Sequence, residues 1–287
     1  MKPDKWIKCI SRGGNMMATA IVATGLINDA RKRHKTGGAE TIGLGEALMG
    51  GLLLASTCKP GERVSLSVRG DKFLRQVMVD GYPNGTVRGF IISRDNFGDI
   101  DVEQGPWQHG LLSVARLKVH EKEPYVGTVP ILTGFLAKDL TFYLTQSEQI
   151  PSSVGLTVNV DRTGKIVSAG AFLVQVMPGA TAEEIALVEN NINHMQSLAE
   201  QVALDPNPTK ILAQILGDLT FTILEEKALF FTCNCSKVRI SRALKLLGRL
   251  ELQDMIAKDK GAEVHCDFCA KNYHFDETDL KQLMDEI

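Results

Sequence analysis

Four cysteines in two tight pairs are the residues of this sequence best equipped for chemistry. Cys233-Asn234-Cys235 and Cys266-Asp267-Phe268-Cys269 stand about thirty residues apart, near the end of a chain with six cysteines in all. One short-spaced pair is a common accident, but two pairs in one stretch are the pattern of a metal site. Each pair brings two thiolates from one turn, and four thiolates complete the tetrahedron that zinc prefers. The reading is one zinc ion per chain, with Cys233, Cys235, Cys266 and Cys269 as ligands. His265 and His274 flank the second pair and could each replace a cysteine, although both pairs are already complete. Two disulfides, or four unrelated thiols, are the other way to read the same residues.

A zinc with four protein ligands keeps no open position, so the site is structural rather than catalytic, and no catalytic residue is assigned. Thiolates are also the species that peroxide and disulfides attack. Oxidised ligands lose the metal, and in a small module the energy of metal binding is folding energy. The four cysteines can therefore serve as a staple or as a switch.

The neighbouring residues suggest what holds the pairs in place. Ala262 to His265 and Lys271 to Phe275 alternate as two short strands around the second pair. Asp276 is a candidate N-cap for a last helix reaching Ile287. Between the pairs, Lys237 to Leu247 reads as a helix with Ile240, Leu244 and Leu247 on one face. Arg239, Arg242, Lys245 and Arg249 are read onto another face, where they partly compensate the negative zinc–thiolate cluster. Nucleic-acid binding is the competing use of those four residues, but no interleaved aromatic side chains offer base stacking.

Upstream, the pattern divides the chain into a large and a small region. Met16 to His34 and Ile42 to Thr57 are expected as helices, the first with Met17, Ala20, Ile21, Thr24 and Ile27 as its inner stripe. Gly43-Leu44-Gly45-Glu46 lacks the spacing and the preceding strand of a nucleotide fingerprint, so its glycines are assigned to packing. Strand patterns follow from Glu62 to Gln175: Val64 to Val68, Gln76 to Val79, Thr86 to Ile92, Leu111 to Val119, Tyr125 to Ile131, Val154 to Val160 and Ile166 to Val174. A helix from about Lys138 to Gln149 interrupts them. No GxSxG, HExxH or P-loop occurs, and Cys9, Cys58, His109 and His120 have no partners that suggest a site. Pro178-Gly179-Ala180 marks a boundary, after which Ala182 to Ala203 reads as an amphipathic helix weakened by Asn190, Asn191, Asn193 and His194. Thr209 to Leu216 follows as a short helix, then Leu219 to Leu224 and Ala228 to Phe231 as extended chain.

The sequence resembles the redox-regulated 33 kDa chaperonin (heat-shock protein 33) family. The CxC and CxxC pairs with their spacing carry the likeness, together with Ser65-Leu66-Ser67-Val68-Arg69-Gly70-Asp71, Gly85-Thr86-Val87-Arg88-Gly89-Phe90, Asp139-Leu140 through Tyr143, Gln146-Ser147-Glu148-Gln149-Ile150-Pro151 and Gln175-Val176-Met177-Pro178-Gly179-Ala180. Ala171 departs from it, standing where relatives often carry a glycine. The resemblance implies an ATP-independent holdase that binds unfolding proteins and stays idle while reduced and zinc-bound. It implies that oxidants convert Cys266 and Cys269, then Cys233 and Cys235, to near-neighbour disulfides, and that metal loss and unfolding expose apolar surface to clients. A homodimer on activation is implied in the same way.

Together these readings give an α+β protein in three parts. Residues 1–179 form a domain with a largely antiparallel sheet and packed helices, 180–231 a helical linker and 232–287 a four-cysteine zinc domain. A net charge of −2 and pI near 6.3 give no overall drive toward nucleic acid or anionic membrane. The absence of a signal-peptide core and of long apolar runs leads us to expect a cytoplasmic protein without membrane partners. The reading from another class is a zinc-ribbon nucleic-acid or protein-binding module with a purely structural metal.

Overall fold

A computed structural model describes residues 3–94 and 105–287 of the chain. The chain divides into two compact units, Met1–Phe231 and Thr232–Ile287.

Two sheets and one central helix organise the first unit. The five-stranded sheet runs in the order β10-β1-β2-β9-β8, built from β1 (Lys5–Ser11), β2 (Met16–Val22), β8 (Ser152–Val160), β9 (Ile166–Val176) and β10 (Phe221–Ala228). All its neighbours are antiparallel. The six-stranded sheet, β11-β5-β4-β3-β6-β7, is built from β3 (Arg63–Gly70), β4 (Leu74–Gly81), β5 (Thr86–Ser93), β6 (Gly110–Leu117), β7 (Tyr125–Pro130) and β11 (Phe230–Phe231). Only β11 joins it in parallel.

Helix α2 (Gly38–Ala55) lies between these sheets and is buried along most of its length. Its glycines let both layers approach closely: a Cβ on Gly45 would sit 2.8 Å from Ile27 and from Val158, and one on Gly51 would sit 2.7 Å from Val79. The packing role expected for Gly43 and Gly45 is thus what the fold uses. Helices α1 (Thr24–His34) and α3 (Leu136–Gln146) complete this side.

The segment after Pro178 covers the other face of the five-stranded sheet. It forms α4 (Ala182–His194), α5 (Leu198–Leu204) and α6 (Pro208–Leu216). Val188, Val202, Ile211, Leu212, Ile215 and Leu216 pack with Ile7, Met16, Ala18, Ala20, Phe172 and Val174 in one buried cluster. Thr181 starts α4 with a reciprocal cap, its hydroxyl accepting from the Glu184 amide at 3.2 Å while Glu184 accepts from the Thr181 amide at 2.9 Å. The segment then returns to the sheet as β10, an edge strand paired with β1.

Several expectations are corrected here. Met16 to Val22 is a strand, not the first half of a helix, and Lys5 to Ser11 is a strand that the sequence pattern did not announce. β2 is covered on both faces, so its apolar run carries no alternation to separate strand from helix. Ala182 to Ala203 is two helices, because Met195 leaves the helix with ψ of 146° and Ser197 restarts it. The break directly follows the cluster of poor helix formers.

The second unit consists of α7 (Lys237–Lys245), α8 (Arg249–Asp259), the hairpin β12 (Gly261–Cys266) and β13 (Lys271–Asp276), and α9 (Glu277–Asp285). Asp276 caps α9, accepting from the Asp279 amide at 2.8 Å. Helix α8 was not anticipated, and Arg249 opens it rather than extending the basic face of α7. Leu244, Leu252, Tyr273, Phe275, Leu280 and Leu283 are the buried centre of this unit.

Candidate metal centre

The second cysteine pair is positioned by the hairpin. Cys266 ends β12, and the chain wraps back so that the amides of Cys269 and Ala270 both donate to the Cys266 carbonyl, at 3.2 and 2.8 Å. Ala270 adopts the left-handed conformation, φ 57°, that this tight wrap demands. Cys233 and Cys235 lie in the irregular stretch before α7. Ser236 caps that helix by accepting from the Arg239 amide at 3.2 Å, so Cys235 precedes a helix start, whose free amides favour negative charge. The Arg239 side chain donates to the Asn234 carbonyl at 3.1 Å and braces the loop between the two thiols.

These turns bring all four sulfurs together. Their Sγ atoms lie within 4.8 Å of one another, and they form the one group of metal-capable side chains among the described residues. Cys233 and Cys266 are 3.9 Å apart and Cys235 and Cys269 are 3.3 Å apart, so each sulfur of one pair has a close neighbour in the other. Tetrahedral ligands about 2.3 Å from zinc stand roughly 3.8 Å from each other, and the cluster fits that figure. Neither His265 nor His274 is in it: His265 contacts Asn272 at 2.6 Å and His274 lies 3.8 Å from Glu263, both on the exposed side of the hairpin.

Electrostatics also call for a cation. Burial pushes the Cys269 thiol well above its ordinary value, and burial with the neighbouring Cys233 charge raises Cys266. At Cys235 burial acts in the same direction, but hydrogen bonds from the Tyr273 hydroxyl and the adjacent thiols outweigh it and bring the group down to about 7. Four thiols packed this closely cannot all ionise unaided, and a divalent cation is what would let them.

Tyr273 is the contributor that the sequence did not reveal. It is 8% exposed, faces the core of the unit, and places its hydroxyl 3.1 Å from the Cys235 sulfur. The contact raises its own phenol to about 12. Inward alternation of Tyr273 and Phe275 just after a CxxC pair was the available signal. Of the basic residues read onto one face of α7, Lys245 instead pairs with Glu286, and with the Lys237–Asp279 pair at 2.6 Å it ties α7 to α9.

Comparison with known proteins places this arrangement among relatives. The profile of the Hsp33 protein family matches residues 4–276. The 33 kDa chaperonin of Geobacter sulfurreducens is 37% identical over 99% of this chain and 96% of its own length. That of Limosilactobacillus fermentum is 37% identical over 98% of both. The crystal structure of a 33 kDa chaperonin (heat shock protein 33 homolog) from Thermotoga maritima superposes with a TM-score of 0.90 at 28% identity, covering 99% of this chain and 98% of that one.

Proposed function

We propose, for a chain that belongs to the Hsp33 protein family and is a redox-regulated chaperone, that Cys233, Cys235, Cys266 and Cys269 hold one zinc ion and form its switch. The convergence of both cysteine pairs within 4.8 Å carries this reading. Bound zinc would supply a positive centre that keeps four thiolates ionised and ties the CxC loop to the hairpin.

The chain's own residues then do the switching. A thiolate attacks peroxide, hydroxide leaves, and the resulting sulfenic acid condenses with a second thiol to give a disulfide and water. Each disulfide takes two sulfurs out of the ligand set. We assign the bonds to Cys266–Cys269 and Cys233–Cys235, neighbours in sequence, within a cluster whose four sulfurs all lie within 4.8 Å of one another. A unit with so small a buried centre loses its fold with its ligands. Helices α4 and α5, which bury only Val188 and Val202 completely, are the part of the first unit best suited to follow. Their departure would uncover apolar side chains of the five-stranded sheet to unfolding client proteins without ATP. A homodimer of the active form and a cytoplasmic setting complete the proposal. No helix among the described residues is long and apolar enough to cross a membrane.

Metal analysis with peptide mapping tests the chemistry. We expect about one zinc per reduced chain and, after peroxide, loss of metal with bonds Cys266–Cys269 and Cys233–Cys235. Cross-pair bonds such as Cys235–Cys269, or metal retained after oxidation, would contradict the assignment.

A further inference from the structure

The turn between α7 and α8 carries features that the switch does not use. Leu246 is 89% exposed and Leu250 is 82% exposed, with Leu247 at 49% beside them. These side chains are held outward by an ordered turn. The amides of Leu246, Leu247 and Gly248 donate to Ala243, Leu244 and Lys245 at 3.1, 3.0 and 3.2 Å, and Gly248 takes the positive φ of 85° that reverses the chain. The core already has its own leucines from the same stretch, Leu244 and Leu252. Leu246 and Leu250 therefore contribute nothing to the interior.

Basic residues gather on the α7 side of them. Between Thr232 and Leu250 there are five basic residues and no acidic one. Lys237 and Lys245 are paired with α9. Arg242 sits one helical turn before Leu246, on the same stripe as the exposed Val238, and Arg249 is next to Leu250. Glu251, in the first turn of α8, is the nearest acidic residue in sequence.

We propose that this turn docks on an anionic lipid surface, with Leu246 and Leu250 entering the headgroup boundary and Arg242 and Arg249 against the phosphates. Protruding aliphatic side chains flanked by arginines match a soft, negatively charged apolar boundary, which needs no preformed groove. A nucleic acid would satisfy the arginines and leave the leucines in water. A second copy of the same turn would bring like charges together. The cavity of about 350 Å³ between α7 and α9 is lined by Arg242 and Lys245 but by neither exposed leucine, so it is not the receptor for them. The overall charge of −2 hides this local arrangement. Because the turn belongs to the second unit, docking depends on that unit being folded.

The test is co-sedimentation of the reduced, zinc-loaded full chain with vesicles of phosphatidylglycerol and phosphatidylcholine, against vesicles of phosphatidylcholine alone. We expect binding to the anionic vesicles only, weakened by salt, and reduced about tenfold both by Leu246→Ser with Leu250→Ser and by Arg242→Ser with Arg249→Ser. Metal content and circular dichroism check that each variant is folded. Leu246→Trp gives a second readout, a blue-shifted emission on anionic vesicles. No sedimentation, equal binding to neutral vesicles, undiminished binding of the folded leucine variant, an unshifted tryptophan, or binding to duplex DNA with vesicles ignored would each overturn the proposal.

Discussion

In the first unit, α2 is packed between two sheets and meets side chains on nearly every side, whereas the second unit gathers six buried side chains and sets four thiols beside them. The contrast concerns what each region loses when sulfur chemistry changes. The two-sheet body around α2 keeps its fold, because none of the four clustered cysteines lies in the first unit, and only the α4–α5 cover is proposed to leave it. The second brings its CxC loop to the hairpin at the four sulfurs and the Tyr273 hydroxyl, so the proposed oxidation would unfold it.

Metal removal should separate the two units most widely. A strong chelator under reducing conditions should abolish slow amide exchange across β12, β13 and α9 while leaving α2 and β3 protected, as hydrogen exchange would show. Retained protection in the hairpin would mean that the ligands do not hold the unit together.

The helical cover of the five-stranded sheet lies between these extremes. Leu216 is fully buried in α6, and Leu216→Ala should weaken the docking of that segment by about 2–5 kcal/mol. Chaperone activity after peroxide should then appear at a lower temperature. An unchanged threshold would separate α6 from the switch.

A third probe addresses α2 itself. Burial pushes the Glu46 carboxyl up from an ordinary 4.5 to about 7. A folded-state value above the unfolded one gives stability that is complete below the unfolded value and is lost as pH rises through about 7. Urea unfolding of the first unit should show a loss of about 1–3 kcal/mol between roughly pH 5 and pH 8, and Glu46→Gln should flatten it. The same slope in the variant would place its origin elsewhere.

The smallest effect is expected at the CxxC wrap. Ala270 pays a left-handed backbone cost at φ 57°, so Ala270→Gly should stabilise the metal-bound unit by about 0.5–1 kcal/mol. A loss of stability would show that the methyl group matters more to packing than the backbone strain does.

How much of this was legible in the sequence follows from how local each signal is. The four-cysteine cluster was legible because spacing alone points to it, and so were the strands Thr86 to Ile92 and Ile166 to Val174, each of which pairs with the strand pattern that precedes it. Met16 to Val22 misled because a strand buried on both faces shows no period. Lys5 to Ser11 acquires its strand character from β2 and β10, the latter more than two hundred residues away. Helix α8 was hidden because its exposed Leu250 breaks the amphipathic stripe that Leu252 belongs to. Tyr273 could be assigned to a strand, but only the folded hairpin brings its hydroxyl to Cys235.

Whether these cysteines are a switch is decided by following released zinc with a metallochromic dye while recording suppression of a thermally unfolding client, in one peroxide titration at mildly elevated temperature without ATP. Metal release and anti-aggregation activity should rise together, and Cys266→Ser should disturb both. Zinc release with no gain of activity would contradict the switch and leave the four cysteines as a structural staple.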